Sequence, residues 1–310
     1  MWLVGAGIMA QGYAKVLTAL DVDFTTIGRG RASADEFEAA TGKSVELGGL
    51  DLALSKSQAP DQAIVAVGID VLMTTTAALM EAGTRNILVE KPAGLSLDEI
   101  ERLESIRKAT GARVLLGYNR RFYSAVRVAR QMIEEDGGVS SAHFEITEWG
   151  HRIGPSDIVP NVKQRWFLGN TSHVVDLAFY LIGNPTEWHS MVDAPVDWHS
   201  AGSRFSGSGK TDRDAFFSYF GDWQAPGRWG LEFLTRKRRL ILRPMEVLQV
   251  TPLGSVEAEL IETDEAPEAE FKPGLYFQTK AFLAEDDQCF CSLTEQSLNA
   301  KLYSQMAGYL

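Results

Sequence analysis

The sequence opens on Trp2-Leu3-Val4, runs directly into Gly5-Ala6-Gly7, and continues from Ile8 to Leu20 with helical apolar spacing. A short strand, a glycine turn and a helix in that order restrict the fold more than any other stretch of the chain. The first glycine permits the tight turn, the second lets the backbone approach a pyrophosphate, and the small Ala10 lets helix and strand pack closely. The start of such a helix offers unpaired N–H groups and a positive dipole end to phosphates. Gly5, Gly7, Ile8 and Met9 are therefore candidate dinucleotide-binding residues.

The same alternation continues to Tyr118. Phe24–Ile27 reads as a second strand, with Ser33 and Glu36 as a capping box for the helix that Gly42 closes. Ala63–Val67 reads as a buried strand, followed by a helix from Val71 to Ala82 that stops at Gly83. Ile87–Val89 shows no alternation, as expected of a strand buried on both faces. Ser96 and Glu99 open a helix ending at Gly111, and Arg113–Gly117 makes the last strand of this half. Strands and helices alternating at these lengths predict an α/β domain over 1–118: a doubly wound parallel sheet covered on both faces.

The pattern changes after Tyr118. Tyr123 to Glu135 reads as an amphipathic helix with Val126, Ala129, Met132 and Ile133 on one face. Strand signals then dominate, at Ala142–Trp149, Phe216–Phe220, Trp229–Leu234, Leu240–Leu242 and Val247–Val250, interrupted by one helix from His173 to Ile182. Residues 119–310 are expected to form an α+β domain with a large, mostly antiparallel open sheet and helices on one face. The acidic stretch Glu262–Glu270 reads as a loop, and a final helix over 294–306 is expected to pack back on the first domain.

A length of 310 residues suits two domains. The net charge of −11 argues against a nucleic-acid binder, because there is no basic excess to neutralise phosphates. The one dense basic run, Arg236-Lys237-Arg238-Arg239, lies between strand signals and reads as a solvated turn. No run of 18 apolar residues is present, so no membrane span is expected. The N-terminus lacks the basic lead and apolar core of a signal peptide, and a cytoplasmic location is expected. Cys289 and Cys291 stand two apart, which suits neither a structural disulfide nor a complete zinc site, so no metal is expected.

The cofactor is read from the end of the second strand. An NAD site usually carries an acid there to accept from the ribose hydroxyls. This chain has Gly28-Arg29-Gly30-Arg31 instead. With no acid in place, and with Arg29 and Arg31 able to pair with a 2′-phosphate, NADP is preferred over NAD.

Lys91 stands at the carboxyl end of the Ile87–Val89 strand, where ligands of parallel sheets bind. It follows Glu90 and precedes Pro92. Glu90-Lys91-Pro92, the initial Gly-x-Gly-x-x-Ala turn, Tyr118-Asn119-Arg120-Arg121-Phe122 and His173-x-x-Asp176 occur in the order seen in the glucose–fructose oxidoreductase/inositol dehydrogenase/MocA (Gfo/Idh/MocA) family. The chain resembles that family over essentially its whole length. The resemblance implies a Rossmann domain followed by an α/β domain with an open sheet, with a sugar, nucleotide sugar or cyclitol bound between them. It also implies hydride transfer between the nicotinamide and a hydroxyl or ketone, and a homodimer or homotetramer associating through the open sheet.

In the family pattern Lys91 lies near both nicotinamide ribose and substrate oxygen, beside the cofactor-side Glu90, and its charge steadies a developing alkoxide. His173 falls on the substrate-side helix and is the candidate proton partner. Asp176 shares its face, three residues on, as a further catalytic candidate. Asn119, Arg120 and Asn170 are candidate substrate ligands. One departure stands out: many relatives carry a carboxylate four residues before the histidine, where this chain has Gly169. Asn170, Thr171 or Ser172 must substitute for it, or the site works differently. Two other functions fit the same motifs: a glycosidase that uses tightly bound NAD for transient oxidation, and a non-catalytic NAD(P)-binding regulator.

Overall fold

The computed structural model describes residues 1–264 and 266–310. The main chain forms two compact units, Met1–Asn119 with Pro267–Ala300, and Arg120–Ala266 with Lys301–Leu310.

The first unit is built on β1 (Trp2–Val4), β2 (Thr25–Gly28), β3 (Val45–Leu47), β4 (Gln62–Val65), β5 (Asn86–Val89) and β6 (Arg113–Leu116). They lie parallel in the order β6-β5-β4-β1-β2-β3, the Rossmann arrangement, with Trp2 opposite Thr25 on one side and Ala63 on the other. The chain order reverses beside β1, so the crevice beyond its carboxyl end is the expected ligand site. Helices α1 (Ile8–Ala19), α2 (Arg31–Thr41), α3 (Gly49–Lys56), α4 (Leu72–Glu81) and α5 (Leu97–Thr110) connect the strands. β1 and the apolar stretches of β4 and β5 are fully buried, which explains why their sequences do not alternate.

Two local readings needed correction. α2 begins at Arg31 on an extended Gly30, so Ser33 lies inside the helix, and its hydroxyl donates back to the Gly30 carbonyl at 3.3 Å. At α5 the serine does cap, accepting the Glu99 N–H at 3.2 Å. The returning bond lands one residue early, from the Leu95 N–H to the Glu99 carboxylate at 2.6 Å.

The acidic stretch expected as a loop holds a short helix, α10 (Ala266–Glu270); Glu265 lies outside the described residues. Beyond it, α11 (Leu275–Leu283) packs beside α1. A two-residue strand, Cys291–Ser292, then adds an antiparallel edge to β6. α12 (Leu293–Met306) follows.

The second unit carries α6 (Ser124–Glu135), α7 (Gly150–Ile153), α8 (Pro160–Gln164) and α9 (Ser172–Ile182). Its eight strands are β7 (Ser141–Glu145), β8 (Pro185–Asp193), β9 (Arg204–Thr211), β10 (Phe216–Asp222), β11 (Gly230–Leu234), β12 (Arg238–Leu242), β13 (Leu248–Pro252) and β14 (Glu259–Leu260). Their order is β14-β13-β12-β11-β7-β10-β9-β8, antiparallel except for β7 beside β10. α6 and α9 pack on one face, over a core that includes Val126, Ala129, Phe144, Phe217 and Phe233. On β10 the exposed Phe216 and Phe220 alternate with the buried Phe217 and Tyr219, so the other face of the sheet carries apolar rings.

The basic run is only partly a solvated turn. Arg238 already belongs to β12, and its guanidinium holds the buried Asp136 carboxylate at 2.8 Å.

Candidate functional site

In the first unit the glycine turn opens a groove of about 790 Å³ at the carboxyl ends of β1, β2 and β4. Gly5 has φ +124°, and a Cβ there would overlap the Ala66 carbonyl oxygen. Only glycine fits. Gly7 caps α1 in an extended conformation, and no atom stands within 4 Å of where its Cβ would be. Ile8 is 85% exposed. That open space before a helix N-terminus is what a pyrophosphate needs, so these residues fit a dinucleotide. Lys272 places its ammonium 2.8 Å from the Met9 sulfur, adding a cation beside the helix start.

Further along, the groove is lined by Gly28, Arg29, Gly30 and Ser33, and by Gly48, Gly49, Leu50 and Asp51. Arg29 lines it. Arg31 does not: it heads α2 and pairs with Asp35 at 3.6 Å, both side chains being largely exposed. Sequence reading missed the Gly48–Asp51 side altogether, because the three-residue β3 before it includes an exposed glutamate and gives no strand pattern.

Lys91 is buried and follows β5. Its peptide bond to Pro92 is cis, and Ala93, at φ +70°, completes the turn. Glu90 is buried beside it and accepts the Tyr13 hydroxyl at 2.7 Å. Tyr13 in turn accepts from the Gln278 amide at 2.7 Å. Burial, and then the Glu90 charge, push the Tyr13 phenol well above its usual pKa, so it remains a donor. The Gln296 amide donates to the Pro92 carbonyl at 3.1 Å and accepts from the Tyr118 hydroxyl at 3.1 Å. The Asn119 amide donates to the Pro273 carbonyl at 2.9 Å. The Lys91 turn is thus braced by side chains from α1 and from the 267–300 segment, none of which a local motif reveals.

In the second unit His173 is the second residue of α9 and is buried, with its ring 6.2 Å from that of Trp229. Asp176, one turn on, makes a bidentate pair with Arg121: Oδ1 to Nη2 at 2.7 Å and Oδ2 to Nε at 2.8 Å, both residues being buried. Arg120 lies with its guanidinium 4.9 Å from the Trp229 ring centre, and Arg228 lies 4.1 Å from it. Burial, the largest influence, lowers the Arg120 pKa.

Asn170 sits in a π-helical turn, Phe167–Thr171, that runs straight into α9. Its amide nitrogen donates to Glu148 Oε1 at 2.9 Å, and the Thr171 hydroxyl donates to the same oxygen at 2.8 Å. Arg228 Nη1 meets the other oxygen, Oε2, at 2.6 Å. Burial pushes the Glu148 carboxyl above its usual pKa, against the opposing pull of Arg228, Thr171 and Asn170. Glu148 escaped the sequence reading because it follows a strand, 22 residues from Asn170 and 80 from Arg228.

Residues 1–118 match the family described as Gfo/Idh/MocA oxidoreductases with an NAD-binding Rossmann fold. The chain carries the NAD-binding domain of that family. No curated protein matches its sequence. Among solved structures, UDP-N-acetylglucosamine 3-dehydrogenase GnnA from Acidithiobacillus ferrooxidans is similar at 15% identity and TM-score 0.76, over 99% of this chain and 95% of the other. A levoglucosan dehydrogenase in complex with NADH and levoglucosan is similar at 16% identity and TM-score 0.79, over 99% and 96%. A putative NADPH-dependent oxidoreductase from Desulfitobacterium hafniense is similar at 14% identity and TM-score 0.79, over 99% and 94%. At these identities the likeness is one of fold, and it covers both units.

Proposed function

We propose that this Gfo/Idh/MocA protein is an NAD(P)-dependent oxidoreductase acting on a hydroxyl or ketone of a sugar, nucleotide sugar or cyclitol. The observation that carries this reading is the buried lysine at the carboxyl end of β5, in the same sheet whose glycine turn opens the dinucleotide groove. The bound nicotinamide supplies the hydride acceptor or donor at its C4 carbon. Gly5, Gly7, Ile8 and Met9 would hold the pyrophosphate, and Arg29 would pair with a 2′-phosphate. Glu90 and Tyr13 set the electrostatics beside Lys91. In the oxidation direction Lys91 takes the hydroxyl proton and steadies the alkoxide, with His173 as the second proton-transfer group.

Asn170 and Arg120 are assigned to substrate hydroxyls, and Asn119 holds the backbone before them. Asp176 is assigned to positioning: two charge-assisted bonds to Arg121 occupy its oxygens and fix the start of α9. The sugar dehydrogenases among the structural relatives support the substrate class by analogy of fold.

NADP is the preferred cofactor, from Arg29 on the groove and the absence of an acid at the end of β2. Asp51, which also lines the groove, favours NAD as the second reading, since its carboxylate would repel a 2′-phosphate. We further propose that the exposed sheet face with Phe216 and Phe220 joins copies of the chain.

The test is a panel of sugars, nucleotide sugars and cyclitols incubated with either oxidised cofactor while nicotinamide absorbance is followed. Net reduction with at least one compound is expected. Consumption of a glycoside without net reduction would instead identify the NAD-assisted glycosidase. Cofactor binding with no turnover of any panel compound, nor of the corresponding ketones with the reduced cofactors, would identify a regulator.

A further inference from the structure

The carboxylate missing at Gly169 has a counterpart elsewhere in the chain. Glu148 is 1% exposed and follows β7, and its two oxygens are met from two elements: Asn170 and Thr171 of the π-helical turn on Oε1, and Arg228 before β11 on Oε2. An ionised carboxylate only accepts hydrogen bonds. Beside it, the Asn170 side chain must turn its nitrogen inward, which sends its Oδ1 the other way. Among the described residues that Oδ1 makes no hydrogen bond, yet it is not among the buried polar atoms that lack one, so it stays accessible.

We propose that Glu148 is a positioning residue that locks the Asn170 amide with its oxygen outward, as an acceptor for a hydroxyl of the substrate, and so selects polyhydroxylated ligands that donate at that point. The proposal rests on the reading of Asn170 as a substrate ligand. Arg228, held by Glu148 against the Trp229 ring, completes the fixed edge of the same cluster. The burial that raises the Glu148 pKa gives the lock a pH dependence. A protonated Glu148 becomes a donor on one oxygen, and the Asn170 amide is then free to reverse.

Two measurements test this. In Glu148→Gln the new amide accepts from Arg228 with its oxygen and turns a donor toward Asn170, so the Asn170 amide must reverse. The side-chain N–H₂ resonance of Asn170, assigned by its loss in Asn170→Ala, is expected to shift strongly in the Glu148→Gln protein. This readout needs no substrate, and an unchanged resonance overturns the proposal.

With whichever panel compound the wild type turns over, Glu148→Gln is expected to raise KM about tenfold or more. The effect on kcat should be smaller, and Glu148→Asp should restore part of the loss. In the Asn170→Ala background the same change should have little further effect on KM, because the two residues act as one unit. Additive effects, or a fall in kcat alone, overturn it. If the wild type turns over nothing in the panel, the oxidoreductase reading falls, and the resonance alone decides whether Glu148 sets Asn170.

Discussion

Arg29 and Asp51 both line the dinucleotide groove with opposite charge, and in the proposed reading the choice of cofactor turns on them. A guanidinium on a 2′-phosphate makes charge-assisted hydrogen bonds, so its loss costs about 1.5–3 kcal/mol, roughly ten- to a hundredfold in affinity. Arg29→Asp should weaken NADP by that factor and leave NAD equal or tighter, while Asp51→Asn should strengthen NADP. Equal affinity of the wild type for both cofactors in a calorimetric titration would contradict the assignment. Arg31 should be silent in the same experiment, since its partner is Asp35 at the surface. Residues whose role is local in sequence were readable there: Gly5 and Gly7 declare a turn, and Lys91 declares the end of a strand. Asp51 and Glu148 were not, because each acquires its meaning from partners far along the chain. The structure also gives Asp176 a tight guanidinium partner that the spacing of His173 and Asp176 could not show.

The π-helical turn before α9 carries Asn170 and Thr171, and its first residue is tethered from the far end of the chain. The Phe167 N–H donates to the Tyr309 hydroxyl at 3.3 Å, and that hydroxyl donates to His199 Nε2 at 2.6 Å. His199 Nδ1 donates to the Gly202 carbonyl at 2.5 Å, which fixes the neutral tautomer. Burial is the main reason that the His199 pKa falls from 6.5 to about 4. Because the folded value lies below the unfolded one, the unfolded chain binds the proton first. This contribution to stability is full above about pH 6.5 and is lost as pH falls through 4. It amounts to at most on the order of 3 kcal/mol. Urea midpoints should therefore drop across that window, and His199→Gln should flatten the drop; an identical slope in the variant would rule out His199 as its source. Elements with strong apolar pattern, such as β1, β5 and α6, were legible from sequence. β9 was not, because Gly207 and Gly209 interrupt its pattern where a Cβ would overlap neighbouring strands, and β8 was not, because none of its residues is fully buried. Ser33 misled for a related reason: a serine followed by Glu three residues on resembles a cap even when the helix has already begun.

At the scale of the whole molecule, alternating strand and helix signals followed by strand-rich sequence were enough to anticipate a Rossmann sheet and a large antiparallel one. The second sheet leaves Phe216 63% exposed and Phe220 45% exposed, with the His143 ring stacked on Phe220 at 5.3 Å. Apolar rings gathered on one exposed face suit association between copies. Sedimentation should show an oligomer that Phe216→Asp with Phe220→Asp converts to monomer, and a monomeric wild type would dismiss the assembly. What the sequence pattern did not convey is that the 267–300 segment returns to brace the Lys91 turn through Gln278 and Gln296. That bracing bears on the central claim, that a dinucleotide in the groove exchanges hydride with a hydroxyl compound while Lys91 manages the proton. The most direct measurement is the rate of nicotinamide reduction by the wild type and Lys91→Met with the same panel compound, with cofactor affinity measured alongside. A fall of about a hundred- to ten-thousandfold in kcat is predicted, with cofactor binding retained. Full turnover by Lys91→Met would contradict the account.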